Sequence, residues 1–154
     1  MDRSMNNKHY GRLALMAGLS FVSMYVLMYA MVDTFANVLP NLNQFYMAGL
    51  MTTPMIIIEV LLMGMMYPNK KWNIGIITVS VLALILFWIG IRQQIAISDK
   101  QFLKSMIPHH AGAILMCEKA SIQDPEIKQL CQNIILGQQE EISLMKDKLN
   151  ALEK

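Results

Sequence analysis

Three long apolar stretches occupy most of the first 91 residues of this 154-residue chain. Leu13 to Ala36 counts 24 residues with no charge before Asp33, Phe45 to Tyr67 counts 23, and Ile74 to Ile91 counts 18. A helix rises ~1.5 Å per residue, so each stretch is long enough to cross the ~30 Å hydrocarbon layer of a bilayer. Lipid offers the backbone no hydrogen-bond partner, and a helix satisfies its own within one segment. The stretches therefore predict three transmembrane helices, at about residues 13–36, 45–67 and 74–91. The first is too long for a cleaved signal segment, and two more follow it.

Composition agrees. The chain is 55% hydrophobic with a formal net charge of +2, and its mean hydropathy is +0.37. That is too apolar for an ordinary soluble domain, and no Lys/Arg cluster is large enough to recruit nucleic acid. Two domains are expected: a membrane domain over 1–97 and a small domain outside the bilayer over 98–154. Arg3, Lys8, Arg12, Lys70 and Lys71 flank one set of span ends, and Arg92 stands alone at the other. The bias predicts a cytoplasmic N-terminus and an extracytoplasmic C-terminal domain, periplasmic if the membrane is the inner membrane of a bacterium. Tyr10, Phe45, Tyr46, Tyr67, Trp72 and Trp88 fall where interfacial anchors belong.

Inside the second stretch, Pro54 removes a backbone donor and Glu59 is an ionisable group at membrane depth. Glu59 is an intramembrane functional candidate; the competing reading is a carboxyl that is protonated or hydrogen-bonded to a neighbouring helix. Of the 15 methionines, 12 precede Asp99. They read first as adaptable packing and only secondarily as a route for metal.

Beyond the spans the pattern becomes amphipathic. Ser98 followed by Gln101 is a capping-box start, and Phe102, Met106, Ala113, Cys117 and Ala120 recur at helical spacing. Asp124-Pro125-Glu126 restarts a helix, with an N-cap acid, proline at the first position and an acid in the first turn. Ile127, Leu130, Cys131, Ile134, Gln138, Ile142, Met145, Leu149 and Leu152 then form its apolar stripe. The short connection makes the two helices antiparallel neighbours. The fold class is all-α: three transmembrane helices and an antiparallel helical hairpin. Two helices alone bury little surface, so oligomerisation or docking is expected to complete a four-helix bundle.

The hairpin carries soft ligands. With Met106 as the zero angle, His109 lies ~60° to one side and His110 ~40° to the other, so all three can face one point. Pro108 deprives the Lys104 carbonyl of its helical partner. Met116 is ~15 Å further along the axis and is unsuited to the same ion. With the hairpin apex near residue 124, Met145 faces position 103, within a turn of Met106. Gln138 and Glu141 then fall near the histidines, where an outer acceptor for an imidazole N–H is expected. Thioethers hold copper(I) and silver(I) but bind zinc, magnesium or calcium poorly. Taken alone, the spacing favours the plain reading of core methionines and a satisfied histidine pair over metal binding.

The same register sets Cys117, on the first helix, opposite Cys131, on the second; they are the only two cysteines. Three states stand open: a disulfide, worth ~3 kcal/mol in the chain-entropy model for a loop of this length, a second soft-metal site with Met116, or two free thiols.

The residues Phe102-Leu103, Met106-Ile107-Pro108-His109-His110, Ala113-Ile114, Met116, Asp124-Pro125-Glu126-Ile127, Leu130, Ile134-Ile135, Gln138, Glu141-Ile142 and Met145 resemble the bacterial family known as domain of unknown function 305. The resemblance covers a third of the chain and leaves out the spans. It implies a ferritin-like, often extracytoplasmic fold, with copper or silver bound by some members. Carried onto this chain, it implies Met106, His109, His110, Met116 and Met145 as ligands. Gly112 departs from the pattern, standing where many relatives carry a methionine soon after the histidine pair.

The expected function is a membrane-anchored, extracytoplasmic copper(I)/silver(I)-binding protein for metal resistance or trafficking, without turnover. It would be a homo-oligomer and would serve a metal transporter or chaperone. Two alternatives are a metal-independent interaction module docking to a membrane partner, and a ferritin-like metal-dependent oxidase. The oxidase lacks the Glu-x-x-His pair such enzymes need.

Overall fold

The computed structural model describes residues 3–153, with side chains from Lys8 onward. Its described residues are helical without strands. Five α-helices run in order: α1 (Arg3–Leu27), α2 (Leu42–Leu62), α3 (Lys70–Arg92), α4 (Asp99–Lys119) and α5 (Pro125–Leu152). Two short 3-10 turns, Met28–Met31 and Phe35–Asn37, join α1 to α2.

The chain divides into two units. The first takes the described residues through Leu27 together with Asn43–Ile95. Its three helices are those long and apolar enough to cross a membrane, over Lys8–Met31, Leu42–Leu62 and Lys70–Arg92. Most of their large apolar side chains face outward, Leu15, Leu19, Leu61, Ile74 and Leu86 among them. That distribution suits lipid, which needs no inward-facing apolar stripe. At one end, Tyr10 donates to Asn73 Oδ1 at 2.7 Å and stacks obliquely on Tyr67, ring centroids 5.3 Å apart. At the other, the Tyr46 hydroxyl donates to the Ile95 carbonyl at 2.8 Å. Between them Gly49 on α2 lies under the Phe87 ring of α3, where a Cβ would collide with the ring. Small residues at helix contacts let backbones approach in this way.

The helix bounds depart from the apolar stretches for local reasons. α1 gives way after Leu27 to the 3-10 turn Met28–Met31, and beyond it Asp33 Oδ1 takes the Thr34 N–H at 2.6 Å and the Asn37 amide at 2.7 Å, organising a further turn. α2 ends at Leu62, before Gly64 and Pro68. Glu59 therefore lies in the last turn of α2, near its end. Its Oε1 accepts the Tyr67 hydroxyl at 3.3 Å, a partner on the same segment and not on a neighbouring helix. Pro54 sits inside α2. It orphans the Leu50 carbonyl, toward which the Thr53 hydroxyl lies at 3.5 Å while bonding Gly49 O at 3.1 Å.

The second unit takes Met28–Leu42 with residues from Ala96 onward. α4 and α5 pack as an antiparallel pair around Ile107, Ala111, Ile114, Ile142 and Leu149. Val32 and Leu39, from the segment between α1 and α2, pack on the same cluster. A division at residues 97 and 98 omits that third layer. Asp124 caps α5 as expected, accepting from Glu126 N at 2.8 Å and Ile127 N at 3.0 Å. Ser98 is the N-cap of α4 but makes no side-chain cap bond. Gln101 does not close the capping box; its Oε1 accepts the Leu42 N–H at 3.0 Å and caps α2.

Candidate metal centre

The Met106–His110 turn is shaped by Pro108, which is buried inside α4. Proline carries no N–H, so the Lys104 carbonyl has no helical donor. The buried Asn41 supplies one, its Nδ2 lying 3.4 Å from that oxygen while also donating to Leu39 O at 3.0 Å. The turn is thus held by a residue 63 positions earlier in the chain.

His110 is buried, and both of its ring nitrogens are engaged. Nδ1 lies 2.9 Å from the Met106 carbonyl, which can only accept, so Nδ1 carries a proton and donates. Nε2 lies 2.7 Å from Glu141 Oε2 on α5, with one proton between them. Glu141 thus stands as the expected acceptor beside the imidazole. His109 is exposed, its ring centroid 5.9 Å from that of His110. Met106 is half-buried on the same turn. Gln138, one turn before Glu141, is also half-buried.

Met145 is partly buried and packs, as Leu103 does, against the apolar cluster that includes Ile107. Met116 is exposed, two turns beyond His109. It belongs to the end of the hairpin that carries the cysteines. Among the described residues, no three His, Cys, Asp or Glu side chains gather around a point suited to a metal.

Cys117 and Cys131 are free thiols, both partly exposed. Hydrogen bonding with Cys131, followed by burial and the charge of Cys131, pushes the Cys117 thiol up to about 11.

One contact escaped the sequence. The backbone of Met31 lies against α4 at Gly112, where a Cβ would stand 3.5 Å from the Met31 carbonyl. Gly112 is one turn from His109. Only the fold brings Met31 to this helix, because the apolar pattern assigns it to the first span.

Residues 91–149 match the family model described as Domain of unknown function (DUF305). An uncharacterised protein of Acanthamoeba polyphaga mimivirus is 38% identical over 144 residues, which span 92% of this chain and 91% of that protein. Similarity to that relative therefore extends through the spans. No solved structure matches the chain. With the signature run Met106–His110 inside the matched segment, and a relative aligned over nearly its whole length, the chain belongs to the family of the domain of unknown function DUF305.

Proposed function

We propose that this protein is a membrane-anchored binder of a soft monovalent cation, copper(I) or silver(I), serving metal resistance or trafficking without turnover. The observation that carries this reading is the hydrogen bond from His110 Nδ1 to the Met106 carbonyl. A metal-binding imidazole typically donates its other N–H to a carbonyl or carboxylate, which fixes the ring and directs the remaining lone pair. Here that leaves Nε2 as the coordinating atom, at the seam facing Glu141. A soft cation would take the place of the proton between Nε2 and Oε2. The adjacent His109 and the thioether of Met106 are the nearest further donors, and thioether is the ligand type that selects copper(I) or silver(I) over harder ions.

The five-to-one bias of basic residues at the span ends supports a cytoplasmic N-terminus and a hairpin on the extracytoplasmic face. Assignment to a bacterial inner membrane rests on the family resemblance alone.

The test is a copper(I) titration of the full-length chain in detergent micelles against a competing chelator. The His109→Ala/His110→Ala double variant is expected to lose tenfold or more in affinity. Unchanged affinity would overturn the reading.

A second reading is favoured by a specific observation. Ile127, Leu130, Leu136, Leu144 and Leu152 of α5, with Phe102 of α4, are large, apolar and exposed. Such residues suit a homo-oligomeric contact or docking to a membrane partner such as a metal transporter or chaperone. Association that persists with a chelator present would support the metal-independent module.

A further inference from the structure

We propose that the open end of the α4–α5 hairpin holds one glycerophospholipid of the surrounding bilayer, with its phosphate at Lys148 and an acyl chain along Phe102 and Leu152. The first turn of α4 and the last turns of α5 form a cleft of about 420 Å³ there, lined by Asp99, Phe102, Leu103, Lys148, Ala151 and Leu152. Four of the six are apolar, and one cation and one carboxylate complete the lining. An apolar wall with a few charged groups beside it is the make-up of a site for an amphipathic molecule. Phe102 is 49% exposed and Leu152 54%, so apolar surface stands open that covering would stabilise. Lys148 and Leu152 are four residues apart on α5 and share one face. Glu153 ties the walls together, its Oε1 2.7 Å from Lys100 Nζ and 3.7 Å from Lys104 Nζ. Those two lysines answer Glu153, and Lys148 is the cation of the cleft.

The occupant follows from where α4 starts. Gln101 accepts the backbone N–H of Leu42 at 3.0 Å, and Asn41 Nδ2 lies 3.4 Å from the Lys104 carbonyl. Leu42 is the first residue of α2, which counts 21 residues and therefore rises ~30 Å, the thickness of the hydrocarbon layer. The start of α2 thus marks the boundary between hydrocarbon and headgroups. Gln101 grips that start, and Phe102 is the next residue. Residues 93–98 are all that separate α3 from α4, at most ~25 Å of chain. A phospholipid is the amphipathic molecule at that level. Lys148 and Asp99 carry opposite charges, which match the phosphate and the amine of a zwitterionic headgroup. His110 stands eight residues, ~12 Å, beyond Phe102 along α4, so the cleft uses no part of the histidine turn. The inference rests on the membrane-anchored reading of α1–α3 and not on metal binding.

The full-length chain in detergent micelles is titrated with phosphatidylethanolamine, and native mass spectrometry counts the lipid retained. One lipid should be held in preference to the rest. Lys148 and Phe102 are both exposed, so substituting them leaves the core intact. Lys148→Glu and Phe102→Ser should each weaken that one lipid by about tenfold or more. Lys128→Glu, the same charge change near the start of α5, should leave it unaltered. In vesicles, a photoactivatable phosphatidylethanolamine should label residues 99–103 and 148–152 in the parent chain and not in Lys148→Glu. Equal retention and labelling in every variant would overturn the proposal, because the lipid would then belong to the spans alone. So would displacement by inorganic phosphate, which would make the cleft a site for the free anion. A dimer that both variants dissociate at unchanged lipid retention would give the cleft to a second copy and overturn the proposal as well. Alkaline extraction of the vesicles keeps the anchor reading separate. A chain that washes out overturns both; one that stays, with lipid binding indifferent to Lys148 and Phe102, overturns this inference alone.

Discussion

Pro108 shows how one residue recruits another far away in sequence. Its missing N–H leaves the Lys104 carbonyl free inside a packed unit, and a buried acceptor without a donor is costly. Asn41 answers with a bond of 3.4 Å, long enough to be weak, and spends its better bond at 3.0 Å on Leu39. Asn41→Ala removes both; the Leu39 carbonyl keeps the Tyr29 hydroxyl at 2.8 Å, whereas the Lys104 carbonyl loses the donor that Pro108 made necessary. The expected loss is ~1–2 kcal/mol of stability, read as a lower thermal midpoint by circular dichroism in detergent. An unchanged midpoint would mean that water replaces the amide at no cost. The need for a donor at Lys104 was legible in the sequence, because proline chemistry is local. The identity of the donor was not, since nothing in the spacing ties residue 41 to residue 104. His110 divides the same way: its place one helical turn after Met106 could be read from spacing, and its bond to Glu141 followed from the hairpin register. Met145 was open to both readings in the sequence, because a methionine on an apolar stripe suits thioether coordination and packing alike, and the fold shows it packed on the hairpin cluster.

Among the elements, helix starts were the most legible features. Asp124-Pro125-Glu126 caps α5 as its chemistry dictates. The Ser98–Gln101 pair marked the start of α4 correctly but for the wrong partner, because Gln101 reaches Leu42 instead of its own N-cap. Helix ends within the apolar stretches were poorly legible, since hydropathy measures lipid compatibility and is blind to the 3-10 turn after Leu27 and the Asp33 turn that follows it. The α2–α3 contact depends on a feature that hydropathy also ignores. Gly49 is overlaid by Phe87, whereas Gly75 on α3 has open space where a Cβ would be. Alanine in a helix interior is normally better than glycine by ~0.5–1 kcal/mol. Gly75→Ala should therefore be neutral or stabilising. Gly49→Ala should reverse sign and destabilise, because the Phe87 ring must move. Unfolding of detergent-solubilised variants in a denaturing surfactant measures both, and equal behaviour of the two would remove Gly49 as a packing determinant.

At the scale of the whole molecule, the unit that carries the candidate ligands is discontinuous in sequence. Residues 28–42 lie between the first two spans, yet Val32 and Leu39 pack on the core of the α4–α5 hairpin, Asn41 reaches Lys104, and Met31 lies against Gly112. A break in composition near residue 98 marks where the chain leaves its apolar stretches, not where this folding unit begins. A two-helix hairpin buries too little apolar surface to be stable alone. The fragment 98–154 would lose its third layer and expose one side of Ile107 and its neighbours. That fragment is expected to exchange the amide hydrogens of α4 much faster than the full-length chain does, with the largest difference around Met106–Ala111. Joining residues 28–42 to it through a flexible linker should restore much of the protection. If the fragment alone already matched the full chain, the loop would be a passenger and the histidine turn would be organised by α4 and α5 without it. Should protection return with the loop instead, soft-metal affinity measured on the bare fragment would understate the protein's own. The segment between α1 and α2 would then be part of the unit that carries the candidate ligands.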